Sequence, residues 1–303
     1  MIKNIRYIIL LCSISLSSEV LSWNTYGQLA LADTAISHMT PSKQREFDLL
    51  AYKLVRQMDS QKRLYLMRTF EGTSAFAHAA VFPDDWRGLT ATSLFDQYGD
   101  GLPTSMAKYA DSTTTDWHFI NQPYNPSDNA PVCEVEEENF VSVLPDLIVA
   151  YRESSSENNR ALLLSLIIHL VSDAHNPMHT ITRVNDDCES DLGGTRFCVS
   201  RYSGSLACEE NLQQIWDRGL GFFNDQEKIE DSLAFLSRVE VAKNLAEITD
   251  PKIWAEEGLA LARTVYSANE SALDPYYVDE GRIISYERAA LGAIRLALIL
   301  EQL

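Results

Sequence analysis

The chain has 303 residues and a formal net charge of −18 at pH 7, with 25 Lys and Arg against 43 Asp and Glu. Its length suits one large domain if the fold is a helical bundle. We find no basic stripe in the sequence, so tight binding of long nucleic acid by neutralising many phosphates is not expected.

The first 22 residues predict a secretory signal peptide. Lys3 and Arg6 precede the apolar run Tyr7–Leu16, and small residues before Trp23 suit cleavage. This run is too short for a membrane span, and no other stretch approaches about 18 uninterrupted apolar residues. We therefore expect a secreted or periplasmic protein of residues 23–303 without stable membrane insertion.

Helical patterns dominate the rest of the chain, with Ser42 as one expected N-cap. The predicted helices are 27–39, 42–58, 140–153, 157–176, 209–219, 226–245, 251–268 and 283–303. The predicted loops are 96–104, 121–131 and 185–204. The last loop contains Arg196–Tyr202, which suits a small hairpin after two glycines. The sequence therefore predicts a single all-α domain with long loops and at most a small β-hairpin.

Two polar segments lie among apolar residues in the first half of the chain. Phe82–Arg87 places Asp84 and Asp85 in a tight turn flanked by aromatic residues. Such a turn by itself is typical of an N-cap or a solvated loop. Asp116–Asn121 places His118 among bulky neighbours, where an ordinary packed histidine is the simplest interpretation. Neither segment alone predicts chemistry.

The most informative stretch is Leu162–His179, which is apolar except for a few polar groups. His169 and Asp173 are four residues apart, so they face the same point on a helix that is otherwise apolar. Pro177 should end this helix, and the chain can then turn and return His179 to the same region. A satisfied core histidine is the alternative. However, buried imidazoles beside a carboxylate commonly hold a metal, and three of the six histidines lie here.

Four cysteines remain beyond the predicted signal peptide. An even number in an exported chain predicts two disulfides, for which three connectivities are possible. Cys188 and Cys198 bracket the Gly193–Gly194 turn, so we predict that they pair. Cys133 and Cys208 form the remaining pair.

Together these segments resemble the S1/P1 nuclease family, the zinc-dependent relatives of bacterial phospholipase C. The ordered set of segments is specific, whereas each one alone is weak. It comprises Trp23 with Gly27, the turn ending at Arg87, Trp117–Asn121, His169–His179, Gly193–Gly194, Asn211–Asp217 and Arg295–Ala297. The resemblance covers nearly the whole chain after residue 22 and implies the phospholipase C/P1 nuclease type of all-α fold. The predicted cleavage also falls just before the tryptophan whose free amine is a metal ligand in the family.

The resemblance implies up to three clustered metal ions, which are zinc in the family. The first ion would be held by Asp84, His118, His169 and Asp173. A second ion would share Asp173 and use the amino group and carbonyl of Trp23. The third would use His179 and Asp217, whereas His175 is assigned a supporting or structural role.

Two glutamines depart from the family pattern, because the family has histidine where this chain has Gln28 and Gln213. Glutamine offers only a neutral carbonyl oxygen, which is a poorer zinc ligand than imidazole. Three explanations stay open. In the first, both glutamines coordinate the metal directly or through water. In the second, the protein uses another metal or fewer ions. In the third, it is a degenerate homologue with little catalysis. In addition, Thr195 stands where the family usually has an asparagine that positions substrate.

The resemblance implies a phosphodiesterase that hydrolyses single-stranded DNA or RNA to 5′-mononucleotides, with 3′-nucleotidase activity. Two bridged metals would activate a shared water, which Asp84 would orient, and Arg87 would bind a phosphate oxygen. Phe119 would stack on a base and Asn121 would bond its edge, although a core role and a turn role are equally open for these two residues.

Two other functions stay open. A phospholipase C-like lipid phosphodiesterase shares the metal cage, but the sequence shows no obvious basic amphipathic membrane helix. A secreted binding protein without catalysis would explain Gln28 and Gln213. In each case we expect a monomer.

Overall fold

The computed structural model describes residues 23–127, 131–201, 208–224, 226–269 and 273–303. The predicted signal peptide lies outside these residues. Helices dominate the structure, as the sequence predicts. They are α1 (Thr25–Ser37), α2 (Pro41–Val55), α3 (Ser60–Thr69), α4 (Ala75–Ala79), α5 (Ala91–Tyr98), α6 (Phe140–Glu153), α7 (Glu157–Asp173), α8 (Leu212–Asp217), α9 (Gln226–Leu236), α10 (Lys243–Ala246), α11 (Pro251–Ala260), α12 (Ala262–Val265) and α13 (Pro275–Glu301). Short 3-10 turns occupy Phe82–Trp86, Thr104–Tyr109, Thr114–His118, Pro177–His179 and Gly219–Gly221.

Two small sheets join the connecting segments. The strands are β1 (Gln122–Tyr124), β2 (Ile181–Arg183), β3 (Cys198–Arg201) and β4 (Cys208–Asn211). β3 and β4 pair antiparallel; β3 lies in the segment predicted as a hairpin, but its partner β4 lies beyond that segment, mostly where a helix was predicted. β1 and β2 pair parallel, with Pro123 opposite Thr182. The sequence did not predict this second pair, because strands of three residues are too short to show an alternating pattern.

Several predicted helix boundaries were wrong. The helix predicted at 209–219 begins as strand β4, and α8 starts only at Leu212. The reason is a capping box: Asn211 accepts from the Gln214 backbone N–H, and the Gln214 side chain accepts from the Asn211 N–H. The segment predicted as one helix at 226–245 is divided into α9 and α10. Helix α3 was missed because only Leu66 of its ten residues is buried, so it lacks an apolar stripe.

Helix α7 forms the centre of the core. Every residue from Ala161 to Asp173 is buried. Ser156 caps its start by accepting from the Asn159 N–H. Burying one Leu or Ile side chain contributes about 1.5–3 kcal/mol, so this helix alone anchors much of the fold.

The segment after α7 lies between two apolar clusters. Ala174 belongs to the larger cluster, which also contains Trp23 and Trp254. Met178 belongs to a smaller cluster with Trp216. The polar residues between positions 173 and 179 therefore lie where the two clusters meet, which isolates them from water.

The predicted disulfide pairing was wrong. Cys133 pairs with Cys188, and Cys198 pairs with Cys208; the Cα–Cα distance is 5.6 Å in both pairs. The β3–β4 hairpin places Cys208 opposite Arg201, so Cys198 and Cys208 lie across the same two strands. Two disulfides indicate folding in an oxidising compartment. Within the ranges described above, the helices are too short or too polar to cross a bilayer.

We expect Gly258→Ala to destabilise the fold. A Cβ at position 258 would lie 2.7 Å from Thr180 Cβ, so α11 would have to move away from the segment that follows His179. Such overpacking costs about 1–3 kcal/mol. Chemical denaturation measures the loss. Glu256→Ala, at an exposed position of the same helix, is the control and should stay within about 0.5 kcal/mol of the parent.

Candidate metal centre

Four side chains from three separate segments meet at one buried point. His118 Nδ1 and His169 Nε2 each lie 3.0 Å from Asp173 Oδ2 and 2.9 Å from each other. Asp84 Oδ1 lies 3.9 Å from His118 Nδ1 and 3.7 Å from His169 Nε2. Ligand atoms of Asp84, His118 and His169 all lie within 4.8 Å of one another. This arrangement is compact enough for one cation to contact all of them.

Local structure fixes the direction of each ligand. His169 and Asp173 occupy the last two turns of α7, and His118 ends the Thr114–His118 turn. His169 Nδ1 donates to the Ala80 carbonyl at 2.6 Å, which leaves Nε2 as the nitrogen that faces the carboxylates. This hydrogen bond sets the tautomer, as commonly found for metal-binding histidines.

Burial and neighbouring charges set the protonation state of each ligand. Burial and the charge of Arg87 together lower the pKa of His118 to about 3, so the imidazole is neutral at pH 7. Burial alone would raise the pKa of Asp173, but His169 and His179 lower it below its ordinary value. The pKa of Asp84 is also lowered, because His169 and Arg87 outweigh burial. The pKa of His169 is raised, because the charges of Asp173 and Asp84 outweigh burial, so this imidazole must release a proton when a cation binds.

A second group lies beside the first. His179 Nε2 is 3.9 Å from Asp217 Oδ1, and His179 Nδ1 donates to the His118 carbonyl at 2.7 Å. Asn176 Nδ2 donates to Asp217 Oδ1 at 2.9 Å, while Asp217 Oδ2 is buried and accepts no hydrogen bond from the described residues. Burial raises the pKa of Asp217 well above its ordinary value. A cation between His179 and Asp217 would satisfy the buried oxygen.

The first described residues pack against both groups. The Trp23 indole is 1% exposed and donates from Nε1 to the Ser172 carbonyl at 3.0 Å. The Asn24 N–H donates to the Asp217 carbonyl at 2.9 Å. These contacts place Trp23 and Asn24 against the backbone of Ser172 and Asp217, next to and at two of the predicted ligand positions.

The two glutamines are buried near the predicted ligands. Gln28 is fully buried and donates from Nε2 to Asp173 Oδ1 at 2.7 Å. Its Oε1 is buried and has no hydrogen-bond donor among the described residues. Gln213 is 2% exposed and lies one helical turn before Asp217 on α8. Both glutamines therefore occupy interior positions, as expected for residues at the ligand positions.

Arg87 lies at the edge of the cluster. Its Nη2 is 3.0 Å from Asp84 Oδ1, and the side chain is only 14% exposed. Nε and Nη1 are buried and make no hydrogen bond to the described residues. A guanidinium with free donors beside a carboxylate can bind a further anion.

The predicted substrate residues lie along the chain from His118. Phe119 is partly exposed and follows His118 in extended backbone. Asn121 is partly exposed, and its Nδ2 donates to Glu136 Oε1 at 3.3 Å. The Gly193–Gly194 turn approaches Asn121, since a Cβ at Gly193 would lie 3.7 Å from Asn121 Oδ1.

Two residues behave differently from the other polar groups of this region. His175 directs Nδ1 to the Val171 carbonyl, and its Nε2 accepts from Arg295, so neither ring nitrogen faces the cluster. Asn176 holds Asp217 in place but was not singled out from the sequence. The sequence feature that could have pointed to Asn176 is its position directly before Pro177, at the end of an apolar helix.

The sequence profile of the S1/P1 Nuclease family matches residues 23–303. The chain belongs to the S1/P1 nuclease family. A search of curated proteins finds no match. The family implies a metal-dependent hydrolase that acts on phosphodiester bonds.

The residues present fit the metal ions that the family implies. Buried Asp217 Oδ2 and Gln28 Oε1 lack hydrogen-bond donors in the described part of the chain, and a cation would supply their missing partner. The imidazoles and carboxylates suit zinc, whereas the amide oxygens are weaker ligands for it.

Removal of the metal should destabilise the protein, because the buried carboxylates would lose their counter-charge. At free zinc 100 times its Kd, the ion would contribute about 2.7 kcal/mol. For a domain of this size, the melting temperature changes by roughly 2–4 °C per kcal/mol. Differential scanning calorimetry with chelator, and again after zinc is returned, measures the effect. An unchanged melting temperature would contradict a structural contribution from zinc.

Replacing the glutamines with histidine should strengthen zinc binding. Gln28→His and Gln213→His each replace a neutral oxygen ligand with imidazole at a buried position. Zinc competition against a chromogenic chelator measures affinity, and elemental analysis measures the number of ions. Gln302→His adds an exposed histidine as the control. If neither buried variant changes zinc binding, both glutamines have been assigned to the wrong place.

Proposed function

We propose that this protein is an exported, zinc-dependent phosphodiesterase that cleaves single-stranded DNA or RNA to 5′-mononucleotides and also removes 3′-phosphates. The observation that carries the proposal is the buried meeting of Asp84, His118, His169 and Asp173 beside Arg87. These side chains can hold a cation next to the Arg87 guanidinium. The cation and the guanidinium would both neutralise the negative charge of a phosphate ester.

The first ion would be held by Asp84, His118, His169 and Asp173. Further ions, up to three in total, would use Trp23 with Gln28, and His179 with Gln213 and Asp217. When bound, zinc supplies Lewis acidity and a water of lowered pKa. Buried surroundings exclude bulk water, which strengthens every electrostatic contact in the site.

The chain's own residues would then orient the reacting groups. Asp84 is the carboxylate of the first group that is partly open, with 21% of its side chain exposed, so it can accept a hydrogen bond from the attacking water. Arg87 is held against Asp84 and can direct its free Nε or Nη1 to a phosphate oxygen. The two residues together would place phosphorus and nucleophile next to each other.

Phe119 and Asn121 would hold the base. Phe119 directly follows the ligand His118, so a base stacked on its ring would lie close to the cleaved phosphate. Stacking tolerates every base, which agrees with weak sequence preference. The chain has Thr195 after the two glycines, so a contact from an asparagine there is missing. We expect the enzyme to act as a monomer.

The purified protein after cleavage of residues 1–22 should release acid-soluble nucleotides from single-stranded DNA, and a chelator should abolish this release. The same samples are tested for phosphocholine release from lecithin. Phosphocholine release without nucleotide release would indicate a lipid phosphodiesterase. No turnover of either substrate by the zinc-loaded protein would indicate a binding protein.

Asp84→Asn should lower kcat for single-stranded DNA by at least about 100-fold, since it removes a charged ligand and the proposed acceptor of the water proton. Asp85→Asn is the matched control, because Asp85 is the next residue, is exposed and pairs with Lys62 instead. Its kcat should stay within about threefold of the parent. Equal losses in the two variants would remove Asp84 from the proposed mechanism.

A further inference from the structure

The α2–α3 hairpin reverses the charge of the chain. Residues 41–69 contain seven Lys and Arg but only three Asp and Glu, within a protein of net charge −18. The sequence showed no basic stripe because these charges are divided between two helices. The fold brings them together on one hairpin.

The same hairpin exposes an unusual amount of apolar surface. Its exposed large hydrophobic residues are Leu49 at 66%, Tyr52 at 50%, Leu64 at 45%, Tyr65 at 49% and Met67 at 53%. Single exposed hydrophobic residues are ordinary, but Tyr52, Leu64 and Met67 line one groove together and so form a patch. Such patches mark sites of interaction.

A groove opens between this hairpin and α4. Its volume is about 770 Å³, and its lining includes Tyr52, Arg56, Arg63, Met67 and His78, together with one carboxylate, Asp48, which accepts from the Phe76 N–H. His78 is 5% exposed, and Thr73 Oγ1 donates to the Phe70 carbonyl, so His78 Nε2 donates to Thr73 Oγ1 at 2.8 Å. His78 Nδ1 is therefore left as a hydrogen-bond acceptor.

The two arginines of the groove carry uncompensated charge. Arg63 Nη1 donates to the Arg56 carbonyl at 2.7 Å, and the Arg56 guanidinium carbon lies 5.8 Å from the Tyr52 ring centroid. Neither arginine has a carboxylate within 4.0 Å in the described part of the chain, whereas Lys53 and Lys62 are paired with Glu157 and Asp85. Two adjacent guanidiniums beside an aromatic ring suit phosphates that carry a planar base.

The groove adjoins the segments that hold the candidate metal centre. Lys62 of α3 donates to Asp85 Oδ2 at 2.5 Å, directly next to Asp84. Two residues beyond His78, the Ala80 carbonyl accepts from His169. Helix α3 and the end of α4, which border the groove, therefore also contact the segments that position Asp84 and His169.

We propose that this groove is a second contact for a single-stranded polynucleotide, with Arg56 and Arg63 at phosphates and Tyr52 against a base. The proposal rests on the proposed function and explains how an acidic enzyme retains a polyanionic strand. The lining carries two guanidiniums against the single carboxylate of Asp48, and this net positive charge favours the polynucleotide. The groove is also concave, whereas a bilayer needs a protruding apolar surface that can enter it.

The test compares Arg56→Gln/Arg63→Gln with Lys243→Gln/Lys252→Gln, which removes the same charge from exposed residues of α10 and α11. Fluorescence anisotropy measures binding of a fully phosphorothioate-linked, eight-residue thymidine oligonucleotide to the zinc-loaded protein. The arginine variant should bind about tenfold more weakly. The slope of log K against the logarithm of salt concentration should become shallower by about 1.4, or 0.7 for each lost phosphate contact. The lysine control should stay within about twofold of the parent.

A kinetic comparison separates the groove from the metal centre. The proposal expects a dinucleotide held at the metal centre to make no contact with Arg56 or Arg63, so the arginine variant should retain its kcat/KM for the dinucleotide. Its kcat/KM for the octanucleotide should fall as binding does. Equal losses for both substrates would overturn the proposal. An unchanged melting temperature in both variants excludes a folding defect.

The outcomes distinguish this proposal from the proposed function. Arginine-dependent binding of the oligonucleotide by a protein that cleaves neither substrate would support the groove and contradict the nuclease activity. Normal cleavage with unchanged binding in the arginine variant would overturn the groove. Vesicles of phosphatidylglycerol and phosphatidylcholine are tested in parallel. Arginine-dependent binding to the vesicles alone would overturn the polynucleotide in favour of a lipid surface.

Discussion

The structure depends on the buried carboxylate of Asp173. A carboxylate without solvent is very costly unless charged or polar groups surround it. Here His118 and His169 approach Oδ2, and Gln28 donates to Oδ1. Those partners come from chain segments far apart in sequence, so satisfying one carboxylate fixes how α1, α7 and the turn before Phe119 meet. Because the buried carboxylate needs a compensating positive charge, this position also suits a cation.

The apolar faces of α7 fix the position of the helix, and this position in turn fixes the polar side chains of its last two turns. A helix buried on all sides can be located accurately, because every face is packed. Its final residues then present imidazole and carboxylate at a reproducible position. The two apolar clusters on either side of residues 173–179 keep water out, so a polar group without a hydrogen-bond partner or a cation would be costly there. Packing and ligand geometry are therefore selected together.

Spacing along one helix was enough to predict His169 and Asp173 as neighbours, and the family order supplied Asp84 and His118. The disulfide pairing was not predictable in this way, because it depends on how the 185–191 loop meets residues 131–135. Asn176 was missed because an asparagine before a proline reads as an ordinary turn residue. Helix α3 was missed because it is hardly buried, so hydrophobic periodicity has nothing to detect. Hydrophobic periodicity in the sequence predicts which residues are buried. It does not reveal an exposed helix such as α3, and it does not show which cysteines far apart in the sequence will pair.

The contact between the Asn24 N–H and the Asp217 carbonyl has a practical consequence for handling the protein. Trp23 lies in the interior, so a segment fused in front of it would have to run from there to the surface. An affinity tag fused there would crowd that exit and perturb the geometry around Asp217. Helix α13 ends at Glu301, and Gln302 is exposed. The carboxyl end is thus the natural place for purification sequences or surface attachment.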